Sequence, residues 1–203
     1  MNGMNARSIH GDAEARRRGT LDAAAALLDE GGYAALTIRA VAQRAGTSTG
    51  LIYQYFTDKQ DIFVALLEES QAESADFVAS LPRTDGVAAL IEALIPESAR
   101  QWRRVVRMTA AWRDTTGATE RDRSESVSRL RESFGRYDDA LRHALVEAAR
   151  IEGRSLTDDP AMLRFVHSGL AGVSDALVND WGDLDPAELV TFAAHAITRG
   201  ITS

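Results

Sequence analysis

The sequence predicts an all-α chain of about nine helices, and three observations carry that prediction. Apolar residues recur at helical spacing from about Ala13 to the C-terminal end. No stretch alternates apolar and polar residues convincingly enough to read as a strand. Residues 36–59 hold two short amphipathic runs around Gly46, each with a capping hydroxyl before it, which is the pattern of a helix-turn-helix.

The first helix is expected from about Ala13 to Glu30, with Leu21, Ala24, Ala25 and Leu28 on one face and Gly31-Gly32 ending it. Residues 1–11 are polar and are expected to form a disordered arm. Tyr33 and Leu36 lead into the second helix. Thr37 is its N-cap, because its hydroxyl can accept from the free N–H groups of the first turn, and Ile38, Val41 and Ala42 form its apolar face. Gly46 stops it, since glycine enters a left-handed C-cap turn at no steric cost. Thr47 or Ser48 caps the third helix, whose inner face is Leu51, Ile52 and Tyr55 or Phe56. Asp58 caps a long fourth helix with Ile62, Phe63, Leu66, Leu67, Ser70 and Phe77 along its inner stripe, and 81–86 is a break. Val87–Ile95 reads as a short helix, and Pro96 is expected to open the next, to about Asp114. A helix over about 120–152 carries Val127, Leu130, Phe134, Tyr137, Leu141, Leu145 and Ala148 on one face. Pro160 starts a helix through Leu163, Val166, Leu170, Val173, Leu177 and Trp181. Asp185-Pro186 starts the last, through Leu189, Phe192, Ala193, Ala196 and Ile197.

Two short helices joined by a tight glycine turn form the unit whose second helix enters a DNA major groove. The segment resembles the DNA-binding motif of the tetracycline-repressor (TetR) family. The resemblance lies in the T-x-x-x-x-A-x-x-A-G core at Thr37–Gly46, the G-x-x-Y-x-Y-F run at Gly50–Phe56, and Lys59 just beyond. The family more often has His where this chain has Tyr55. The sequence-specific match spans about 14–67; the remainder agrees in architecture alone. It implies a helix-turn-helix domain over 11–57 and a ligand-binding and dimerisation domain over 58–203.

The net charge of −7 fits a DNA-binding protein once it is divided. Residues 1–60 hold seven basic and six acidic side chains, a net +1 that leaves −8 for the rest. Phosphate contact depends on where the basic groups point, so the total does not argue against DNA. Lys59 is the only lysine. There is no cysteine, which excludes disulfides, thiolate catalysis and Cys-based zinc sites. No apolar run reaches membrane-spanning length and Met1–Gly11 has no apolar signal core, so a cytoplasmic protein is expected.

In the third helix Thr47, Ser48, Thr49, Gly50 and Gln54 lie opposite Leu51 and Ile52. Gln54 can bridge an adenine edge, a threonine methyl can touch a thymine methyl, and Gly50 lets the backbone approach closely. The family resemblance implies that Tyr53 contacts a phosphate and that Tyr55 and Lys59 touch the DNA backbone. Thr37 is placed for a phosphate at the start of the second helix. Arg16–Arg18 either touch phosphates or form a solvated basic face.

A ligand cavity is expected in the C-terminal domain, where Trp102, Val106, Thr109 and Trp112 from one helix, Phe134 and Tyr137 from the next, and Phe165 and His167 from the one after could line an aromatic-rich space. The alternative is that these residues are plain core. Arg103, Arg104 and Arg107 favour an acidic ligand if one turns inward. For a homodimer, Gly169 and Gly172 offer a small-residue face and Leu189, Phe192, Ala193 and Ala196 an apolar one. No catalytic signature appears: His10, His143, His167 and His195 are scattered, and neither a metal-binding H-E-x-x-H nor a nucleophile elbow is present. No enzyme activity, cofactor or metal is expected. The function expected is a homodimeric repressor on a palindromic double-stranded operator, released by an unidentified small molecule. An activator of the same fold, or a regulator answering to a protein partner, fits the same residues; a helical-bundle enzyme or carrier with a vestigial helix-turn-helix is the more distant alternative.

Overall fold

A computed structural model describes the backbone of residues 3–113, 120–179 and 184–203, and the side chains of residues 13–101, 128–179 and 184–203. The described backbone forms eight helices: α1 Gly3–Ala35, α2 Ile38–Arg44, α3 Thr49–Ile52, α4 Lys59–Ser80, α5 Gly86–Arg113, α6 Glu120–Ile151, α7 Met162–Asn179 and α8 Pro186–Ile201. There is no strand among the described residues, only an isolated bridge between Leu156 and Thr202.

Two elements differ from expectation. The disordered arm expected over residues 1–11 gives way to helix from Gly3. The break expected at Gly31-Gly32 is present inside α1: Gly32, with φ 64° and ψ −164°, leaves the helical conformation and kinks the chain there. The helices expected over Val87–Ile95 and from Pro96 onward are one, α5, with Pro96 inside it. A proline removes one backbone hydrogen bond and crowds the preceding turn. Here that turn is held by Leu90, Ile91, Leu94 and Ile95, all buried, so packing of the residues before the proline keeps the helix continuous. This merger accounts for eight helices where about nine are expected.

The chain divides into two compact units, one formed by residues 1–69 and 106–130, the other by 70–105 and 131–203. In the first unit, Leu21, Leu28, Leu36, Val41, Ile52, Ile62 and Phe63 are buried, and the Tyr33 ring meets Phe63 edge-on at 5.2 Å between centroids. Each such aliphatic side chain contributes about 1.5–3 kcal/mol on burial, which is what gives helices as short as α2 and α3 a fixed position. Arg129 of α6 ties itself to α4, with Nε and Nη2 donating to Glu68 at 2.9 and 2.6 Å and Nη1 to Asp61 at 2.6 Å. The second unit is a bundle of α5, α6, α7, α8 and the last turns of α4 around Ile91, Ile95, Leu141, Leu145, Val166, Leu170 and Ile201. Glu152 caps α5 by accepting from the Val87 N–H at 3.1 Å, and Asp185 caps α8 by accepting from the Ala187 N–H at 2.9 Å.

Candidate functional site

The helix-turn-helix is built from caps and one glycine. Thr37 Oγ1 accepts from the Ala40 N–H at 3.1 Å and starts α2. At the other end Gly46 has φ 63°, a left-handed conformation. The Thr47 N–H then reaches back to the Ala42 carbonyl at 2.9 Å and the Gly46 N–H to Gln43 at 3.3 Å, which closes α2 as a Schellman turn. Of the two expected caps for α3, Ser48 is the one used: its Oγ accepts from the Leu51 N–H at 3.2 Å. Both capping hydroxyls act as acceptors there, so their protons remain free to donate outward.

Ile52 and Phe56 anchor α3, at 0% and 3% exposure. The opposite side is open. Ser48, Thr49, Gly50 and Gln54 are exposed, and Tyr53 is 59% exposed, high for so large a ring. Thr37 is exposed, while Thr47 and Tyr55 are half-buried. Exposed hydroxyls, an amide and a phenol in one stretch of a buried-backed helix make a hydrogen-bonding face with the donors and acceptors that base edges and phosphates require.

The cations are arranged selectively. Arg17 and Arg18 face Glu69 at 3.5 and 3.2 Å, and Arg44 pairs with Glu30 through two contacts of 2.5 and 2.8 Å. Arg16 and Arg39 have no ion pair among the described residues. Lys59 Nζ stands 4.4 Å from the centre of the Tyr33 ring, which holds the ammonium at the start of α4 without neutralising it. Asp58 fixes that start by accepting from the Gln60 and Asp61 N–H groups at 2.7 and 2.8 Å.

The second unit contains a cavity of about 230 Å³. It brings Phe134, Tyr137 and His167 together, with the Tyr137 and His167 rings stacked at 5.5 Å and 27°. Phe165 stands apart: it is 48% exposed, and a Cβ built on Gly200 would meet its ring, so it lies over α8. The side chains of Trp102, Val106, Thr109 and Trp112 lie outside the described residues, as do those of Arg103, Arg104 and Arg107. The rest of the lining escaped the sequence: Gln71 and Ser74 from α4, Ser98 and Gln101 from α5, and Leu170, Ala171 and Ser174 from α7. Ser174 carries a legible signal, because it falls four residues after Leu170 of an apolar stripe and breaks it with a hydroxyl.

The described lining itself is neutral, with the charges of Asp138, Glu97 and Arg164 close behind it. Burial pushes His167 below its ordinary pKa against the pull of Asp138, with Arg164 adding to the depression. His167 Nε2 and Asp138 Oδ1 are 3.3 Å apart but out of line for a hydrogen bond. Burial likewise pushes the Tyr137 phenol up to about 12, with the charges of Asp138 and Glu97 behind it, so it stays a donor.

On α7 and α8 the residues expected at a dimer surface separate. Gly169 faces Ile197 of α8, where an added Cβ would stand 2.8 Å from Cδ1, and Ala193 is buried in the core of the second unit. Both are used within the chain. Gly172, Phe192 and Ala196 are exposed, Phe192 at 74%, and Leu189 is half-buried.

Residues 21–66 match the family model described as bacterial regulatory proteins, tetR family. The chain is 28% identical over 178 residues to the transcriptional repressor AcnR of Corynebacterium diphtheriae, covering 86% of this chain and 87% of that protein. It is 46% identical over 52 residues to the repressor KstR of Rhodococcus jostii, a match confined to 26% of this chain and 24% of KstR. Among solved structures, the regulator FadR from Bacillus subtilis, in complex with stearoyl-CoA, superposes with a TM-score of 0.66 at 18% identity, over 91% of this chain and 98% of that one.

Proposed function

We propose, from the premise that the chain belongs to the TetR family of bacterial regulatory proteins and is a DNA-binding transcriptional regulator, that it acts as a cytoplasmic homodimeric repressor, without enzymatic activity, of a palindromic operator. A small molecule in the cavity of the C-terminal domain releases it. The observation that carries the DNA half of this reading is the open face of α3 backed by buried Ile52 and Phe56. Thr49, Gly50 and Gln54 meet base edges, and Thr37, Tyr53, Tyr55 and Lys59 meet phosphates. The similarity to AcnR and KstR, both named as repressors, favours repression.

Release follows from differential affinity. An effector shifts the protein only by binding more tightly to the conformation that holds the two recognition helices out of register with successive major grooves, about 34 Å apart. Helix α4 carries the change, since its first turns belong to the DNA-binding unit and its last to the unit with the cavity. Dimerisation uses the outer face of α8, Leu189, Phe192 and Ala196, beside Gly172 of α7.

The test is a gel shift with the DNA flanking the protein's own gene. A discrete shifted band, competed by the same fragment and lost in Tyr53→Ala, is the expected result. Binding that is equal for every fragment and unaffected by Tyr53→Ala contradicts the assignment of the α3 face.

A further inference from the structure

Resting on the preceding reading of the cavity as an effector site, we infer that its ligand is a small, planar ring of about ten non-hydrogen atoms that bears hydroxyl or amide groups and no negative charge. Size sets the first limit. A dry protein cavity of about 150 Å³ accepts benzene, so about 230 Å³ holds nine or ten non-hydrogen atoms.

Charge sets the second. No lysine, arginine, aspartate or glutamate belongs to the described lining. Its one titratable base, His167, is held neutral by burial. A carboxylate or phosphate entering this space loses its water and meets no compensating cation among these residues.

Hydrogen bonding sets the third. Gln101 is already committed, donating to Glu97 at 2.9 Å and lying 2.7 Å from Ser74 Oγ. Other groups are not committed. Ser174 is 0% exposed and its Oγ has no hydrogen-bond partner, an arrangement that costs the protein until something fills it. The Gln71 amide is 8% exposed, and it, the Ser98 hydroxyl and the Tyr137 phenol make no side-chain hydrogen bond among the described residues. Donors and acceptors are thus presented together, which suits hydroxyl and amide groups. The near-parallel rings of Tyr137 and His167, with Phe134 beside them, supply flat faces for a ring.

The test compares probes of one shape. The full-length protein is titrated calorimetrically with 4-hydroxybenzamide, its anionic counterpart 4-hydroxybenzoate, octanoate and stearoyl-CoA, and DNA release is followed in parallel. Neutral 4-hydroxybenzamide is expected to bind at least tenfold more tightly than 4-hydroxybenzoate. Ser174→Ala and, independently, Gln71→Leu are expected to weaken it at least fivefold. Because Ser174→Ala removes an unpaired buried hydroxyl, the free variant is expected to melt no lower than the parent, so weaker binding is not a folding defect. Tighter binding of 4-hydroxybenzoate, octanoate or stearoyl-CoA, no binding of the amide at millimolar concentration, or amide binding indifferent to both substitutions overturns the inference. Release of DNA by stearoyl-CoA with no binding of the amide sinks this ligand class and leaves the effector reading standing. Tight amide binding, sensitive to both substitutions but without effect on DNA, supports the class and removes the effector reading.

Discussion

Lys59 offers a test of the DNA face that separates contact from folding. Its ammonium sits over Tyr33 and is not neutralised by a carboxylate among the described residues, so it has two measurable roles. Over the ring it stabilises the fold by about 0.5–1 kcal/mol, the value for a cation–π pair that is not deeply buried. Against a phosphate it displaces condensed counterions, which adds about 0.9 to the slope of log affinity against log salt for each protomer. At physiological salt that slope is worth about fivefold in affinity per contact, and about thirtyfold for a homodimer using both. Lys59→Met keeps the aliphatic stem and removes the charge. Anisotropy titrations of an operator duplex and an unrelated duplex between about 50 and 200 mM salt are expected to show the same loss on both, with a shallower slope. The chain also supplies an internal check. Lys59 is its only lysine, so acetylation by an amine-directed reagent reports on that one side chain and on the α-amino group. Bound DNA is expected to protect Lys59 from the reagent. An unchanged salt slope together with undiminished acetylation in the complex would refute the phosphate role and leave Lys59 as a partner of Tyr33 alone.

Other expectations follow from the same geometry. Gln54→Ala should relax preference at one base position by about 1–3 kcal/mol while leaving the salt slope intact, which a binding-site selection on the variant checks. Phe192→Asp changes a residue already 74% exposed, so the isolated chain should fold normally. Buried in a dimer, the new charge has no partner, and light scattering should show a monomer; a folded dimer removes this face from the interface. His167 has its folded pKa below its ordinary value, so it contributes stability that is present above about pH 6.5 and lost as pH falls through the lowered value. Asp138 opposes that shift and Arg164 adds to it. His167→Gln should therefore flatten the acid limb of the stability–pH curve, and an unaltered limb places the acid sensitivity elsewhere.

The parts of the fold that the sequence disclosed are those governed by neighbours along the chain. Thr37, Asp58 and Asp185 cap the helices they are expected to cap, because a capping bond spans two or three residues and leaves its mark in order. Gly46 ends α2 for the same local reason. Pro96 reads as a helix start, since propensity alone favours that position; the buried residues before it decide otherwise, and their partners lie far away in sequence. Leu189, Phe192, Ala193, Ala196 and Ile197 read as a single apolar face, yet Ala193 and Ile197 turn inward while Phe192 and Ala196 turn out. A stripe of period 3.6 shows which residues are apolar, not which side is covered by the chain itself. The cavity was the least legible feature. Its polar lining comes from α4, α5, α6 and α7, and only tertiary packing sets Gln71 of one helix beside Ser174 of another.

Selection of bound duplexes from a random pool tests the central claim most directly, because it asks for sequence specificity and symmetry together. A homodimer reading DNA through α3 should enrich an inverted repeat whose half-site centres lie about one helical turn apart, or a multiple of it. The enrichment should disappear in Phe192→Asp, which removes the partner, and lose one specified base position per half-site in Gln54→Ala. A pool that remains random after repeated rounds, or a motif without two-fold symmetry that survives Phe192→Asp unchanged, contradicts a dimeric operator-binding regulator.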